Sequence, residues 1–163
     1  MAIHLRPIEL AAVETTAADT YAIFVGEDER PLWGLGGLLD WKLGTAISRQ
    51  LQDQQVVGQP GESVLMPTYG KTPGARIFAF GVGPASLLTA ERWAEHAWAA
   101  VEKLQLAKVN SLAIGLPEQP PVNISAPILI KALEPLSSIE TFVFGPVREM
   151  EQAVPGLGQR QRK

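Results

Sequence analysis

Residues 77–98 read "IFAFGVGPASLLTAERWAEHAW", in which a strand-like apolar run enters Gly81-Val82-Gly83-Pro84 and then a helix-like segment. Backbone N–H groups at such a turn can cradle an anion, helped by the helix dipole. Two features weaken that chemistry: a dinucleotide fingerprint would carry glycine where Ser86 stands, and Pro84 removes one donor. The residues favour a tight corner, with Gly81, Val82, Gly83 and Ser86 kept as candidate ligand-binding residues. A second cluster, Gly34, Gly36 and Gly37 in "PLWGLGGLLD", stands just before the first long helix expected in the chain. The two loops could face each other across the carboxyl ends of strands, where open α/β sheets bind ligands.

Other reactive residue types assemble into less. Glu27-Asp28-Glu29 could coordinate a cation or repel a phosphate, but three carboxylates in series are expected to form a solvated loop. No His or Cys lies near them for a transition metal, and neither metal nor cofactor is implied. Imidazole comes only from His4 and His96, the latter expected on the exposed, polar side of its helix. Neither has a nearby serine in a recognised nucleophile setting, so a hydrolytic triad is not supported. Cysteine is absent, which removes disulfides, thiolate metal sites and cysteine nucleophiles and fits a reducing compartment. Of four tryptophans, Trp93 is expected in the core. Trp41 and Trp98 fall at the edges of helical stripes and Trp33 in the glycine-rich loop; these three are candidate interface anchors, unless they cap the core.

At 163 residues the chain suits one domain, large enough to bury roughly two-thirds of the surface its unfolded form exposes. The formal charge is −3, and setting aside Arg160, Arg162 and Lys163 in the ending "GQRQRK" leaves −6 on the rest. An acidic body argues against a nucleic-acid face, whose affinity needs clustered Lys and Arg. No apolar stretch approaches a membrane span and the N-terminus lacks a leader pattern, so a cytoplasmic location without membrane contact is expected. Residues 1–155 are read as one unit and 156–163 as a basic, disordered tail.

The elements that must position these residues follow from hydrophobic pattern. Strands are predicted at 3–8, 20–25, 63–67, 76–80, 111–116 and 141–145; several of these runs are continuously apolar rather than cleanly alternating, as in strands covered on both faces. One helix is predicted where Leu39, Leu43, Ile47 and Leu51 recur every fourth residue. A second follows Thr89 as N-cap, with Trp93, Ala97, Val101 and Leu104 on its apolar side. A third is predicted over 126–134, introduced by Ser125 and Pro127 and stopped by Pro135, and a last turn or two over 146–154. This order predicts an α/β fold, a three-layer α/β/α sandwich with a mixed sheet.

At "LLDWKLGTAISRQLQDQQVVGQPGESVLMP", followed by "ARIFAFGVG", the chain resembles the N-terminal domain of the leucyl aminopeptidase family of metallopeptidases. The matching residues are Leu39, Asp40, Gly44, Ile47, Ser48, Gly58, Gly61, Glu62, Gly81 and Gly83, and the ordered set spans roughly residues 3–150. The resemblance implies a macro-domain-like fold. It also implies that the two-metal peptidase chemistry belongs to a C-terminal domain whose segments this chain lacks, so a free-standing, non-catalytic version is expected. In macro domains, loops corresponding to Gly34–Gly37 and to 81–86 contact or close over the diphosphate of ADP-ribose. The adenine-holding Asp would be expected near residues 9–12 and the ribose-side Asn in "GEDERP", and neither is present. In some peptidases of the family this domain helps bind DNA, which the acidic body disfavours.

The sequence therefore predicts a binding module acting through a protein partner or self-association. The alternative is a small-molecule module taking a nucleotide or ADP-ribose-like anion at the two glycine-rich loops.

Overall fold

The structure, a computed structural model, describes residues 2–157. From residue 158 onward the basic tail lies outside the described residues. The elements are β1 (Ala2–Arg6), α1 (Leu10–Thr15), β2 (Thr20–Val25), α2 (Gly34–Lys42), α3 (Ala46–Gln52), β3 (Ser63–Pro67), β4 (Arg76–Gly81), α4 (Ala90–Leu106), β5 (Ser111–Gly115), α5 (Val122–Ala132), β6 (Glu140–Phe144) and α6 (Val147–Ala153). The sheet order is β1-β6-β5-β2-β4-β3. All neighbours run parallel except β3, which pairs antiparallel with β4 at one edge, so the sheet is mixed as predicted.

Strand β2 shows why its sequence is continuously apolar. Tyr21, Ile23 and Val25 point into one core, with Leu35 and Leu39 of α2 and Ile47 and Leu51 of α3. Ala22 points into the other, with Phe24 packed against it and Trp93, Ala97, Val101 and Leu104 of α4 beside Leu129 of α5. A strand with helices on both faces leaves little room for polar side chains along its middle, and Thr20, buried at its start, accepts from Arg76 Nε at 2.9 Å. Trp93 ties the second layer together: its indole N–H donates to the Ser125 carbonyl at 3.0 Å and its ring meets Phe24 edge-on at 4.6 Å. Thr89 caps α4, accepting from the Arg92 N–H at 3.3 Å.

Two predicted helices differ in extent. The stripe over residues 39–52 is carried by two helices, because Gly44 and Thr45 adopt left-handed φ of 61° and 65° and turn the chain between them. Leu39, Leu43, Ile47 and Leu51 are all still buried, so the stripe survives the break. Asp40 spans it: one carboxylate oxygen accepts from the Ser48 N–H at 2.9 Å and the other from the Ser48 hydroxyl, capping α3. Helix α5 starts at Val122, before Ser125, with Pro127 inside it, and ends at Ala132. Helix α1 has no counterpart among the predicted elements; six residues give too few turns for a period to show.

Glycine permits the closest approach in the fold. A Cβ on Gly81 would lie 2.1 Å from the Gln59 carbonyl oxygen, and one on Gly58 would lie 2.9 Å from the Gly26 carbonyl carbon. The ends of β2 and β4 and the 57–62 turn thus pack backbone to backbone. Gly81 N–H donates to the Glu62 carbonyl at 2.8 Å, and Gly83 N–H to the Gly58 carbonyl at 2.8 Å. The Glu62 carboxylate closes the turn by accepting from the N–H groups of Val57 at 3.0 Å and Gly58 at 2.8 Å. Gly81→Ala is expected to cost about 1–3 kcal/mol through forced backbone movement. Urea unfolding measures it, and wild-type stability in the variant would refute this account of the junction.

Candidate functional site

The parallel strands β2, β4 and β5 end on the same edge of the sheet, and the loops leaving them enclose a cavity of about 510 Å³. The wall consists of residues 28–33 after β2, Ala85 and Ser86 after β4, and Glu118 and Gln119 after β5. Short backbone ties hold the first two loops in place: Val82 N–H donates to the Val25 carbonyl at 3.0 Å, and Glu27 N–H to the Gly83 carbonyl at 2.9 Å.

The glycine corner has little left to offer a ligand. The Gly81, Val82 and Gly83 N–H groups are all bonded to carbonyls, and the three residues are buried. Beyond Pro84, the Ala85 N–H donates to one oxygen of Asp28 at 2.6 Å. The Ser86 hydroxyl and N–H donate to the other at 2.8 and 3.4 Å. The Asp28 carboxylate is exposed, as expected of a solvated loop, and is also bonded to the 85–86 turn. The Ser86 hydroxyl first, and then the Ala85 N–H, hold its carboxyl below the usual carboxylate range.

Gly34, Gly36 and Gly37 lie inside the first turn of α2 rather than in a loop before it. Their smallness serves packing: a Cβ on Gly37 would lie 2.5 Å from the Leu32 carbonyl oxygen, while one on Gly36 would meet Ile23 at ordinary contact distance. None of the three lines the cavity, whereas Trp33, immediately before them, does. Of the ten candidate residues, the structure brings Trp33 and Ser86 together at this cavity. Trp41, on α2, is 73% exposed, and Trp98, on α4, is 44% exposed. The two helices cover opposite faces of the sheet, so these tryptophans belong to separate surfaces.

The cavity wall carries three carboxylates, Asp28, Glu29 and Glu118, against one guanidinium, Arg30. Arg30 is turned to its own backbone, donating to the carbonyls of Gly26 at 3.3 Å and Glu29 at 2.5 Å. Burial pushes the Glu29 carboxyl above the usual range, opposed by the Gly26 and Trp33 N–H groups and reinforced by the Glu118 charge. Glu118 and Gln119 read in sequence only as part of a proline-rich connection; their position just after a parallel strand is the signal that marks them.

His96 is half-buried rather than exposed, and burial holds its pKa below the ordinary histidine value. His4 pairs with Glu140 at 3.0 Å and stacks on Phe142, away from the cavity lining. Among the described residues, no group of three or more His, Cys, Asp or Glu side chains could hold a metal ion. No helix among them is long and apolar enough to cross a membrane.

Residues 22–138 match the family model of the cytosol aminopeptidase family, N-terminal domain. A probable cytosol aminopeptidase of Geobacter sp. (strain M21) is 31% identical over 115 residues, covering 68% of this chain and 22% of that protein. A tomato leucine aminopeptidase structure superposes with a TM-score of 0.59 at 18% identity, over 94% of this chain and 35% of that one. The Trypanosoma brucei macrodomain in complex with ADP superposes with a TM-score of 0.69 at 11% identity, over 93% and 68% of the two chains. The chain therefore has the macro-domain fold, and it spans about a fifth to a third of the length of these aminopeptidases.

The half-buried Glu29 yields a test of the wall's electrostatics. Its raised folded-state pKa means that ionisation costs stability as pH rises from the unfolded carboxylate range through the folded value. Glu29→Gln is expected to raise the melting temperature at pH 7 and to lose that gain at about pH 3, below the ordinary glutamate range, where the native glutamate is protonated in both states. A gain of equal size at both pH values would contradict this assignment.

Proposed function

Because the chain belongs to the cytosol aminopeptidase family through that family's N-terminal domain, we propose that it is a non-catalytic binding module whose cleft takes a small molecule of nucleotide size. The observation that carries this reading is the 510 Å³ cavity at the carboxyl ends of β2, β4 and β5. Small-molecule pockets span about 300–1,000 Å³ and combine apolar walls with a few polar groups. Here Leu32, Pro31 and Trp33 supply the apolar wall, and Glu29, Glu118 and Gln119 the polar groups. The position suits the general rule for α/β sheets, and the Trypanosoma brucei macrodomain of the same fold was solved with ADP. We read the module as residues 1–155 and place it in the cytoplasm, in keeping with its family.

A second reading, contact with a protein partner or another copy of the chain, is favoured by the exposure of Trp41 and Trp98 and by Leu106, 77% exposed on the same helix as Trp98. Exposed tryptophans commonly anchor interfaces. Sedimentation velocity decides its self-association form: an oligomer that dissociates in Trp41→Ala or Trp98→Ala supports it, and a monomer across the concentration range removes it.

The primary test is calorimetric titration with adenosine, ADP and ADP-ribose. Saturable binding of at least one is expected, weakened about tenfold or more in Trp33→Ala, since base stacking on an aromatic ring contributes about 1–3 kcal/mol. No saturable heat from any of the three sinks the small-molecule reading.

A further inference from the structure

We infer that Asp28 is the specificity-determining residue of the cleft: its carboxylate occupies the N–H and O–H donors of the 85–86 turn that a phosphate would need, so the ligand presents an uncharged or cationic group there. The inference rests on the reading of the cavity as a ligand cleft.

The donors in question belong to Ala85 and Ser86, the residues of the corner after β4 that line the cavity. The Ala85 N–H reaches one Asp28 oxygen at 2.6 Å, and the Ser86 hydroxyl and N–H reach the other at 2.8 and 3.4 Å. A carboxylate accepting from two backbone N–H groups and a hydroxyl uses the same charge-assisted bonds that a phosphate would. Asp28 therefore stands, chemically, where a ligand anion would. The loop carrying it is not free to swing aside without breaking other ties. Glu27 N–H is bonded to the Gly83 carbonyl at 2.9 Å, and a Cβ on Gly26 would lie only 2.7 Å from the Ala85 Cβ.

A phosphate that displaced Asp28 would still meet Glu29 and Glu118 in the same wall. Arg30, the one cation there, already donates to two carbonyls of its own loop. Like charges brought together in a confined site are strongly disfavoured, whereas an amine or hydroxyl finds acceptors in all three carboxylates. Half-buried Glu29, which shares the wall with Glu118 while Arg30 is turned to its own backbone, points the same way. The cleft thus keeps the position of a macro-domain site while its charge selects against the diphosphate.

The test follows the amide resonances of Ala85 and Ser86 in the isotope-labelled chain during titration with pyrophosphate. Wild type is expected to show small, non-saturating changes. Asp28→Ala and Asp28→Asn are expected to show saturating changes, with pyrophosphate bound about tenfold or more tightly once the like charge is gone. The asparagine variant keeps one acceptor for the Ala85 N–H, so it holds the loop if the alanine variant does not fold. A response in both folded variants no stronger than in wild type, whether large or absent, overturns the inference. Failure of the adenosine and ADP-ribose titrations would strike the reading of the cavity as a ligand cleft, on which the inference rests, whereas failure of the pyrophosphate test with those titrations positive would strike the role of Asp28 alone.

Discussion

The close packing of Gly26, Gly58 and Gly81 is the constraint on which the functional end of this molecule depends. Three backbone segments, the ends of β2 and β4 and the turn before β3, meet at distances that leave no room for a β-carbon at Gly58 or Gly81. That contact brings the loop after β2 against the loop after β4, within hydrogen-bond reach of Asp28. Hydrogen bonding then completes what packing begins, because every N–H brought inside must find an acceptor. Glu62, the Gly58 carbonyl and the Val25 carbonyl supply them at the corner, and Asp28 supplies them just beyond it.

The same constraint shapes the electrostatics of the cleft. A turn whose N–H groups could receive an anion is instead satisfied from within by a side chain of the chain's own sequence. The negative charge needed to satisfy the donors is paid in Asp28, and it adds to Glu29 and Glu118 rather than cancelling them. A fold shared with macro domains therefore presents an acidic wall where a diphosphate would need a positive one. Fold and ligand chemistry are separable here, because the strand ends set where the cavity is while the loop residues Asp28, Glu29 and Glu118 set its sign.

Much of the scaffold was legible in the residues. All six strands lie close to where the sequence runs place them, most legibly β2 and β5, which are covered on both faces and so apolar along their interior. Trp93 and the α4 stripe, with Thr89 as cap, were equally readable. The break between α2 and α3 was not, since Leu39, Leu43, Ile47 and Leu51 keep a helical period across it and the left-handed pair at Gly44 and Thr45 leaves that period intact. The surroundings of the candidate glycines were not legible for a related reason. Glycine in a sequence signals either a free backbone or a crowded one, and Gly37 and Gly81 are crowded.

By itself, then, the sequence determined the layered α/β architecture, the family kinship and the presence of two loops at the strand ends, because these rest on local period and on ordered motifs. Tertiary structure alone decided what those loops can do. Asp28 and Ser86 are 58 positions apart, and nothing in "GEDERP" or "GPASLL" indicates that one will fill the other's donors. Likewise Glu118 joins Glu29 only because β5 runs parallel beside β2. Charge and hydrogen-bond satisfaction act through space over a few ångströms, and the chain order does not record which residues the fold will bring that close.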